Sequence, residues 1–153
     1  MSYCIEGPYL GKAAACEPIL RSLPAWFGIE EAIVHYVAEI ERLPTFLARD
    51  AGSAQGFLSL KQHNPHAAEV YVMAVVPDAH REGIGQALMS QAQEWLKSQG
   101  VEYLQVKTLG PSHSDPNYAK TRAFYLAMGF RPLEEFTQIW DEGNPCVIMV
   151  KRV

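Results

Sequence analysis

The chain has 153 residues, of which 48% are hydrophobic and 20% are charged, values typical of one globular domain. Thirteen Lys and Arg against seventeen Asp and Glu give a net charge of −4. This argues against a general nucleic-acid-binding protein, which needs a basic surface to neutralise phosphates. Three cysteines in no zinc-binding pattern indicate free thiols in a reducing cytoplasm. No apolar run approaches the roughly 20 residues of a membrane span.

The first half of the chain shows helical patterns followed by strand patterns. Apolar residues at helical spacing predict helices at 13–23 and 29–43, which end at Pro24 and Pro44. The patterns that follow predict a strand at 45–48, a turn at 49–53, a strand at 54–60 that completes a hairpin, and a loop at 63–66.

The second half alternates strands and helices. The stretch 69–76 is almost wholly apolar and rich in β-branched residues, which favours a strand covered on both faces. An apolar stripe predicts the clearest helix at 83–99, with Gly100 after its end. The remaining patterns predict a strand at 103–108, a loop at 110–117, a helix at 118–128 ended by Gly129, and strands at 133–140 and 146–151. This interleaved order favours a mixed α/β sheet, and without a visible linker we expect one domain over residues 1–153.

The junction between the strand at 69–76 and the helix at 83–99 is the segment most informative about function. Gly83 and Gly85 let the backbone approach a ligand closely, and the free N–H groups and dipole of the first helical turn favour an anion such as phosphate. A Walker A loop is excluded by the residues after Gly85, and a dinucleotide fingerprint fails because Leu88 replaces its third small residue. A tight helix start without a ligand is the alternative interpretation.

The segment from His80 to Gly85 resembles motif A of the GNAT superfamily of acyl-CoA-dependent N-acetyltransferases, in which Gln/Arg-x-x-Gly-x-Gly/Ala opens a helix after an apolar strand. The sequence departs from this pattern at His80, which stands at the Gln/Arg position. The segment 123–130, Ala-Phe-Tyr-Leu-Ala-Met-Gly-Phe, is similar to motif B. The resemblance covers nearly the whole chain. It implies a mixed, mostly antiparallel sheet of about six to seven strands, with helices on both faces and a splay between the two central strands.

The resemblance also implies that acetyl-CoA is the co-substrate and that no metal takes part. Its pyrophosphate is expected on the backbone amides of 81–86, with the Glu82 side chain toward solvent, and its pantetheine arm on the splayed strand. Asn117 lies one residue before the place where the family often has an Asn. The residues expected to contact acetyl-CoA are Met73, Ala74, Val75, His80, Arg81, Glu82, Gly83, Ile84, Gly85, Gln86, Asn117 and Tyr125.

Two residues are expected to move protons in the reaction. The amine must be neutral when it attacks, and the departing thiolate is best protonated. Some family members use a Glu fourteen residues before the first motif A glycine as the base, directly or through water, and Glu69 has this separation from Gly83. Tyr125 resembles the family's Tyr that faces the thiolate. A Glu69 at a strand end in solvent and a Tyr125 that only packs in the core are the alternatives.

Other polar residues are interpreted more simply. Strand alternation places Glu69 on one face with Tyr71, Met73 and Val75, and Lys107 is interpreted as a solvated strand residue. Contact of the acceptor with His113 or Asp115, and an acidic rim at Glu30, Glu31 and Glu39, are left open.

We therefore expect an acetyl-CoA-dependent N-acetyltransferase in which a primary amine attacks directly in a ternary complex. The acceptor is a small-molecule or peptide amine that the sequence does not identify. Neither nucleic acid nor a membrane is expected as a partner, and homodimerisation, common in the family, is left open. The alternative from another class is a catalytically silent module that binds or senses acyl-CoA and shares motif A.

Overall fold

The computed structural model of the chain describes residues 3–80 and 82–153. In chain order its helices and strands are β1 Cys4–Tyr9, α1 Ala13–Arg21, α2 Glu30–Ile40, β2 Thr45–Asp50, β3 Ser53–Asn64, β4 Ala67–Val75, α3 Ile84–Ser98, β5 Tyr103–Leu109, α4 Pro116–Ala127, β6 Arg131–Asp141 and β7 Asn144–Arg152. The strands form one mixed sheet in the order β1-β2-β3-β4-β5-β7-β6. Neighbours pair antiparallel except β4 and β5, which run parallel. No helix in the described ranges is long and apolar enough to cross a membrane.

The sequence predicts the mixed α/β sheet and each of these elements except β1. That strand contains Gly7 and Pro8, two residue types depleted in strands, and its pairing with β2 includes a register shift. β3 and β4 also extend farther toward each other than the sequence pattern indicates. The loop predicted at 63–66 is therefore reduced to Pro65 and His66.

Two hydrophobic cores lie on opposite faces of the sheet, as expected for a sheet with helices on both sides. α3 and the C-terminal part of α4 border one core, in which Leu88 and Phe130 are fully buried. α1 and α2 border the other, in which Leu20 and Ile40 are fully buried. The sheet is thus held between two helical layers, and the central strands β3, β4 and β5 contribute to the packing.

A β-bulge at Tyr71 changes which side chains of β4 share a face. The register with β3 leaves Tyr71 as the extra residue between Val70 and Val72. Tyr71 packs with the α1–α2 core, whereas Met73 and Val75 pack with the α3–α4 core. The alternation predicted for this strand is therefore wrong beyond the bulge, because one inserted residue interrupts the strand's period of two.

β4 and β5 part in the middle of the sheet. Their parallel pairing begins at Ala67 and Tyr103 and stops at Val70 and Val106, although β4 continues to Val75. On their outer edges the two strands stay paired with β3 and β7. The expected splay is therefore present, and backbone N–H and C=O groups on the inner edges are left without a strand partner.

Candidate active site

A cleft of about 610 Å³ opens where β4 and β5 part. The end of β4 at 73–75 and the end of β5 at 106–108 line it. The start of α3, one side of α4 and the connection between α1 and α2 complete the lining. The cleft therefore joins the glycine-containing junction singled out in the sequence to the helix that carries Tyr125.

The start of α3 offers backbone donors to this cleft. Gly83 precedes the helix with a φ of +80°, a left-handed conformation that favours glycine, and it supplies no side-chain cap. The N–H groups of Ile84, Gly85 and Gln86 have no partner within the helix, and the helix dipole adds partial positive charge. A Cβ atom at Gly85 would lie 3.3 Å from the Phe124 ring, so glycine lets α3 begin close to α4. This end of the cleft fits a diphosphate such as that of acetyl-CoA.

The residues just before these amides lie in different environments. His80 is exposed, its Nε2 donates a hydrogen bond of 2.7 Å to the Val75 carbonyl, and its ring meets Trp26 edge-on at 6.1 Å. Glu82 is exposed, in agreement with the expected orientation of its side chain toward solvent, and it does not line the cleft. Arg81 lies outside the described residues.

β4 presents part of its backbone to the cleft. The Val76 N–H donates to the Gln55 carbonyl at 2.9 Å, so by strand alternation the Val75 carbonyl points away from β3. Met73 presents its N–H and carbonyl on that same side. The Val75 carbonyl accepts the hydrogen bond from His80, whereas the pairing with β5 ends before Met73. This unpaired edge is where the GNAT resemblance implies the pantetheine arm.

Tyr125 lines the cleft from α4 and is only 6% exposed. The end of the helix fixes its position: Gly129 has a φ of +98°, and the Phe130 N–H donates to the Tyr125 carbonyl at 3.0 Å, as in a Schellman motif. The rings of Phe124 and Phe130 meet the Tyr125 ring edge-on at 5.5 Å. Burial raises the pKa of Tyr125 well above its ordinary value, so its hydroxyl is a protonated donor at neutral pH.

Glu69 on β4 is 5% exposed and lies among hydrogen-bond donors. His63 Nε2 is 2.7 Å from Oε1, Gln105 Nε2 donates to the same oxygen at 3.4 Å, and Lys107 Nζ lies 3.6 Å from it. Glu69 does not line the cleft, but its neighbours Lys107 and Tyr71 do. Lys107, interpreted from the sequence as a solvated strand residue, is 32% exposed, but its ammonium group also pairs with this buried carboxylate.

His63 is a candidate site residue that the sequence patterns miss. It is the extra residue of a second register shift, between Gln62 and Asn64 of β3. Its side chain is 36% exposed, so the ring links the buried Glu69 carboxylate to the surface. In the sequence, the only signal was that a histidine precedes Glu69 by six positions. The pairing of β3 with β4 in the structure is what shows that the two side chains meet.

Trp26 joins the α1–α2 connection to α4 across the cleft. Its indole Nε1 donates to Thr121 Oγ1 at 3.0 Å, and its carbonyl accepts a hydrogen bond of 2.9 Å from the Tyr118 hydroxyl. We call this arrangement of Trp26, Tyr118 and Thr121 the Trp26 clasp. Asn117 does not line the cleft, and its N–H donates to Asp115, which caps α4.

Other side chains with reactive groups lie outside the cleft. His113 and Asp115, which the sequence left open as acceptor contacts, do not line it. Burial raises the pKa of Cys16 to about 12 and that of Cys146 to about 11, so neither thiol is a nucleophile at neutral pH. Across residues 3–80 and 82–153, no three His, Cys, Asp or Glu side chains are arranged to hold a metal ion.

Comparison with known sequences supports the GNAT resemblance found in the sequence motifs. A family model described as an acetyltransferase (GNAT) domain matches residues 33–132, well over half of the chain. The mycothiol acetyltransferase of Beutenbergia cavernae is 32% identical over 95 residues. That match covers 61% of this chain and 30% of the relative, so the chain corresponds to less than a third of that protein.

Solved structures share the fold over nearly the whole chain. A Desulfovibrio desulfuricans protein assigned to the GNAT family superposes with a TM-score of 0.86 at 16% identity, with 99% of each chain covered. The ribosomal-protein-S18-alanine N-acetyltransferase of Escherichia coli gives 0.78 at 19% identity, covering 99% of this chain and 94% of that one. The PaiA N-acetyltransferase of Thermoplasma acidophilum, solved with coenzyme A, gives 0.75 at 18% identity over 100% of both. The family model, the motifs and the splayed sheet together show that the chain belongs to the GNAT family of acetyl-CoA-dependent acetyltransferases.

Proposed function

We propose that the protein transfers an acetyl group from acetyl-CoA to a primary amine by direct attack within a ternary complex. The observation that carries this proposal is the cleft at the splay, which the backbone donors of α3, the Tyr125 side chain and two neighbours of Glu69 all line. We propose further that residues 1–153 act as one domain, because a single sheet runs through the described residues. Three unpaired cysteines support a reducing, cytoplasmic setting.

The start of α3 and the unpaired edge of β4 would hold acetyl-CoA. The first-turn amides, at Ile84, Gly85 and Gln86, would bind the pyrophosphate. Lys120 lines the cleft from α4 and adds positive charge. The pantetheine arm would run along Met73, where the backbone groups lack a strand partner.

Glu69 would prepare the amine. Acetyl-CoA supplies the acetyl group as a thioester, and the amine must lose a proton before its lone pair attacks the thioester carbonyl. Because Glu69 does not line the cleft, we propose that it takes this proton through a water molecule. Its three nearby donors, on His63, Gln105 and Lys107, all meet Oε1, so Oε2 is the oxygen available for the proton.

Tyr125 would protonate the departing sulfur. The new carbon–nitrogen bond forms, the carbon–sulfur bond breaks, and the thiolate receives the Tyr125 phenolic proton, which solvent replaces. The amine enters as an ammonium ion and leaves as an amide, so it gives up two protons. One of them balances the proton on the coenzyme A thiol, and the other is released to solvent.

The acceptor is a small-molecule or peptide amine. The related proteins support this range, because one is named for mycothiol and another for an alanine of ribosomal protein S18. These names describe those proteins, and the cleft of this chain decides its own acceptor.

The test is release of thiol from acetyl-CoA in the presence of a panel of primary amines, with mass spectrometry of the amine. We expect thiol and N-acetylated amine in equal amounts for at least one amine. Binding of acetyl-CoA by calorimetry without acetylation of any amine would instead favour the silent acyl-CoA-binding module.

A further inference from the structure

We infer that the acceptor is a compact amine that carries an aromatic or large apolar group, and not a polyamine or an amino sugar. This inference rests on the proposed acetyl transfer and specifies its second substrate. Three features of the cleft support it. Aromatic rings line the cleft, no Asp or Glu among the described residues lines it, and the Trp26 clasp ties its walls together.

Aromatic rings form much of the cleft near Glu69. Phe27, Tyr36 and Tyr71 line it, are half-buried, and meet one another edge-on, with ring centroids 5.7 Å apart for the first pair and 5.6 Å for the second. Both tyrosines lie close enough to Glu69 for its charge to act on them. Half-buried rings beside the proposed base leave apolar surface that a ring-bearing acceptor would cover.

The position of the charges disfavours a polycationic acceptor. Among the described residues that line the cleft there is no Asp or Glu, whereas Lys107 and Lys120 both line it. Glu69 is paired with Lys107. A polyamine or an aminoglycoside carries several ammonium groups that lose bound water in a cleft. Each of them needs a carboxylate as a partner, because a buried charge is costly unless it is paired.

The acidic rim considered from the sequence does not supply those carboxylates. Glu30 pairs with Arg21 through two hydrogen bonds, of 2.7 and 2.9 Å. Glu39 pairs with Arg42 and, at 3.8 Å, with Lys61. None of Glu30, Glu31 and Glu39 lines the cleft.

The Trp26 clasp limits the size of the acceptor. Trp26 is hydrogen-bonded to Thr121 and Tyr118 of α4, so the two sides of the cleft are tied together beside the aromatic rings. Walls tied together in this way favour a flat ring on a short amine over a bulky hydrophilic sugar.

The first experiment compares phenethylamine, n-butylamine, spermidine and glucosamine as acceptors at saturating acetyl-CoA. We expect kcat/KM for phenethylamine to exceed that for n-butylamine by about ten- to a hundredfold, because burial of the phenyl ring strengthens binding by about that factor. Spermidine and glucosamine should fall below n-butylamine. In parallel, calorimetry measures binding of phenethylamine and n-butylamine to the protein saturated with coenzyme A.

The second experiment tests the ring of Phe27. Phe27→Leu keeps an apolar side chain and should lower kcat/KM for phenethylamine by about three- to tenfold, and that for n-butylamine by a clearly smaller factor, since the butyl group has no ring to pack against it. Tyr103→Leu is the matched control, because Tyr103 is an exposed aromatic residue on β5 that does not line the cleft. It should change neither value.

The outcomes separate this inference from the proposed function. Turnover with equal or greater kcat/KM for spermidine or glucosamine overturns the aromatic acceptor and leaves acetyl transfer intact. An absence of turnover with every amine, together with tighter binding of phenethylamine, overturns acetyl transfer and supports the aromatic site. Equal binding of phenethylamine and n-butylamine, or equal loss of kcat/KM for both amines in Phe27→Leu, overturns the inference.

Discussion

Single side chains decide how protons would move in this cleft. The donors around Glu69 all meet one of its two oxygens, and all three come from the strands on either side of β4: His63 from β3, and Gln105 and Lys107 from β5. A carboxylate held in this way keeps a fixed orientation and one free oxygen, which a base that acts through water requires.

Replacing Glu69 by Gln should remove the base while preserving the size of the side chain. We expect kcat at neutral pH to fall by about 10²–10⁴-fold, with part of the loss recovered at high pH, where solvent deprotonates the amine. The KM for acetyl-CoA should stay unchanged. A rate within about twofold of wild type across the pH range would show that Glu69 is not the base.

His63 should act as a positioning residue for Glu69. His63→Phe removes the contact to Oε1, and we expect about a tenfold lower kcat with an unchanged KM for acetyl-CoA. His63→Gln retains an N–H donor and should recover most of the rate. Equal losses in the Phe and Gln variants would contradict a role based on this hydrogen bond, and thermal melts of both variants check that the fold is intact.

Tyr125→Phe removes only the phenolic oxygen. We expect kcat to fall by about ten- to a hundredfold, since a coenzyme A thiol is already a fair leaving group. Tyr103→Phe is the matched control: Tyr103 is exposed on β5 and does not line the cleft, so the loss of its hydroxyl should leave kcat unchanged. Turnover of Tyr125→Phe at the wild-type rate, in an assay limited by chemistry, would exclude the proton-donor role.

At the scale of elements, two helix ends build the site. α3 begins at a glycine without a side-chain cap, which leaves its first amides for a ligand. α4 ends in a Schellman motif that packs Phe130 against Tyr125, so the cap that stops the helix also orients the side chain facing the cleft.

The two ends of α3 provide a matched test of the pyrophosphate site. Gly83 and Gly100 have φ values of +80° and +81°, so Val at either position should cost about 1–2 kcal/mol of stability. Only Gly83→Val should also weaken coenzyme A binding, by at least about tenfold, because it shifts the amides of the first turn. Calorimetry and thermal melts measure the two effects. Equal coenzyme A affinity in both variants would exclude this site.

At the scale of the whole molecule, the splay shapes the cleft because, beyond Val70 and Val106, β4 and β5 are held by their outer neighbours and no longer by each other. Several tyrosines of the described chain lie around that opening. Burial raises the pKa of Tyr71 and of Tyr118 to about 12, and raises those of Tyr36 and Tyr125 as well.

These tyrosines predict that stability falls in alkali. Above about pH 10 the unfolded chain loses phenolic protons that the folded chain keeps, so the unfolded state binds fewer protons and the free energy of unfolding decreases as pH rises. Tyr125 alone should contribute about 1.4 kcal/mol per pH unit in this range. Urea denaturation at several pH values measures the slope. The free energy of unfolding should decrease less steeply with pH in Tyr125→Phe than in the wild type. Identical slopes would show that burial of Tyr125 does not raise its pKa.

The sequence by itself determined the elements whose signals are local. Helical and strand periodicities predict all of the described helices and all strands except β1, because spacing along the chain reports which face is buried. Gly83 and Gly129 predict where α3 begins and where α4 ends, because left-handed backbone favours glycine. The almost wholly apolar stretch 69–76 likewise predicts a strand covered on both faces, which is β4.

The tertiary structure alone decided the features that depend on distant pairings. β1 becomes a strand because β2 pairs with it, although its own residues disfavour a strand. The bulge at Tyr71 exchanges the faces of the β4 side chains that follow it, which no count of residues reveals. The contact of Lys107 with Glu69 and the Trp26 clasp join residues far apart in the sequence. Local patterns report backbone conformation and burial, whereas the identity of a side chain's partner depends on how the whole sheet is assembled.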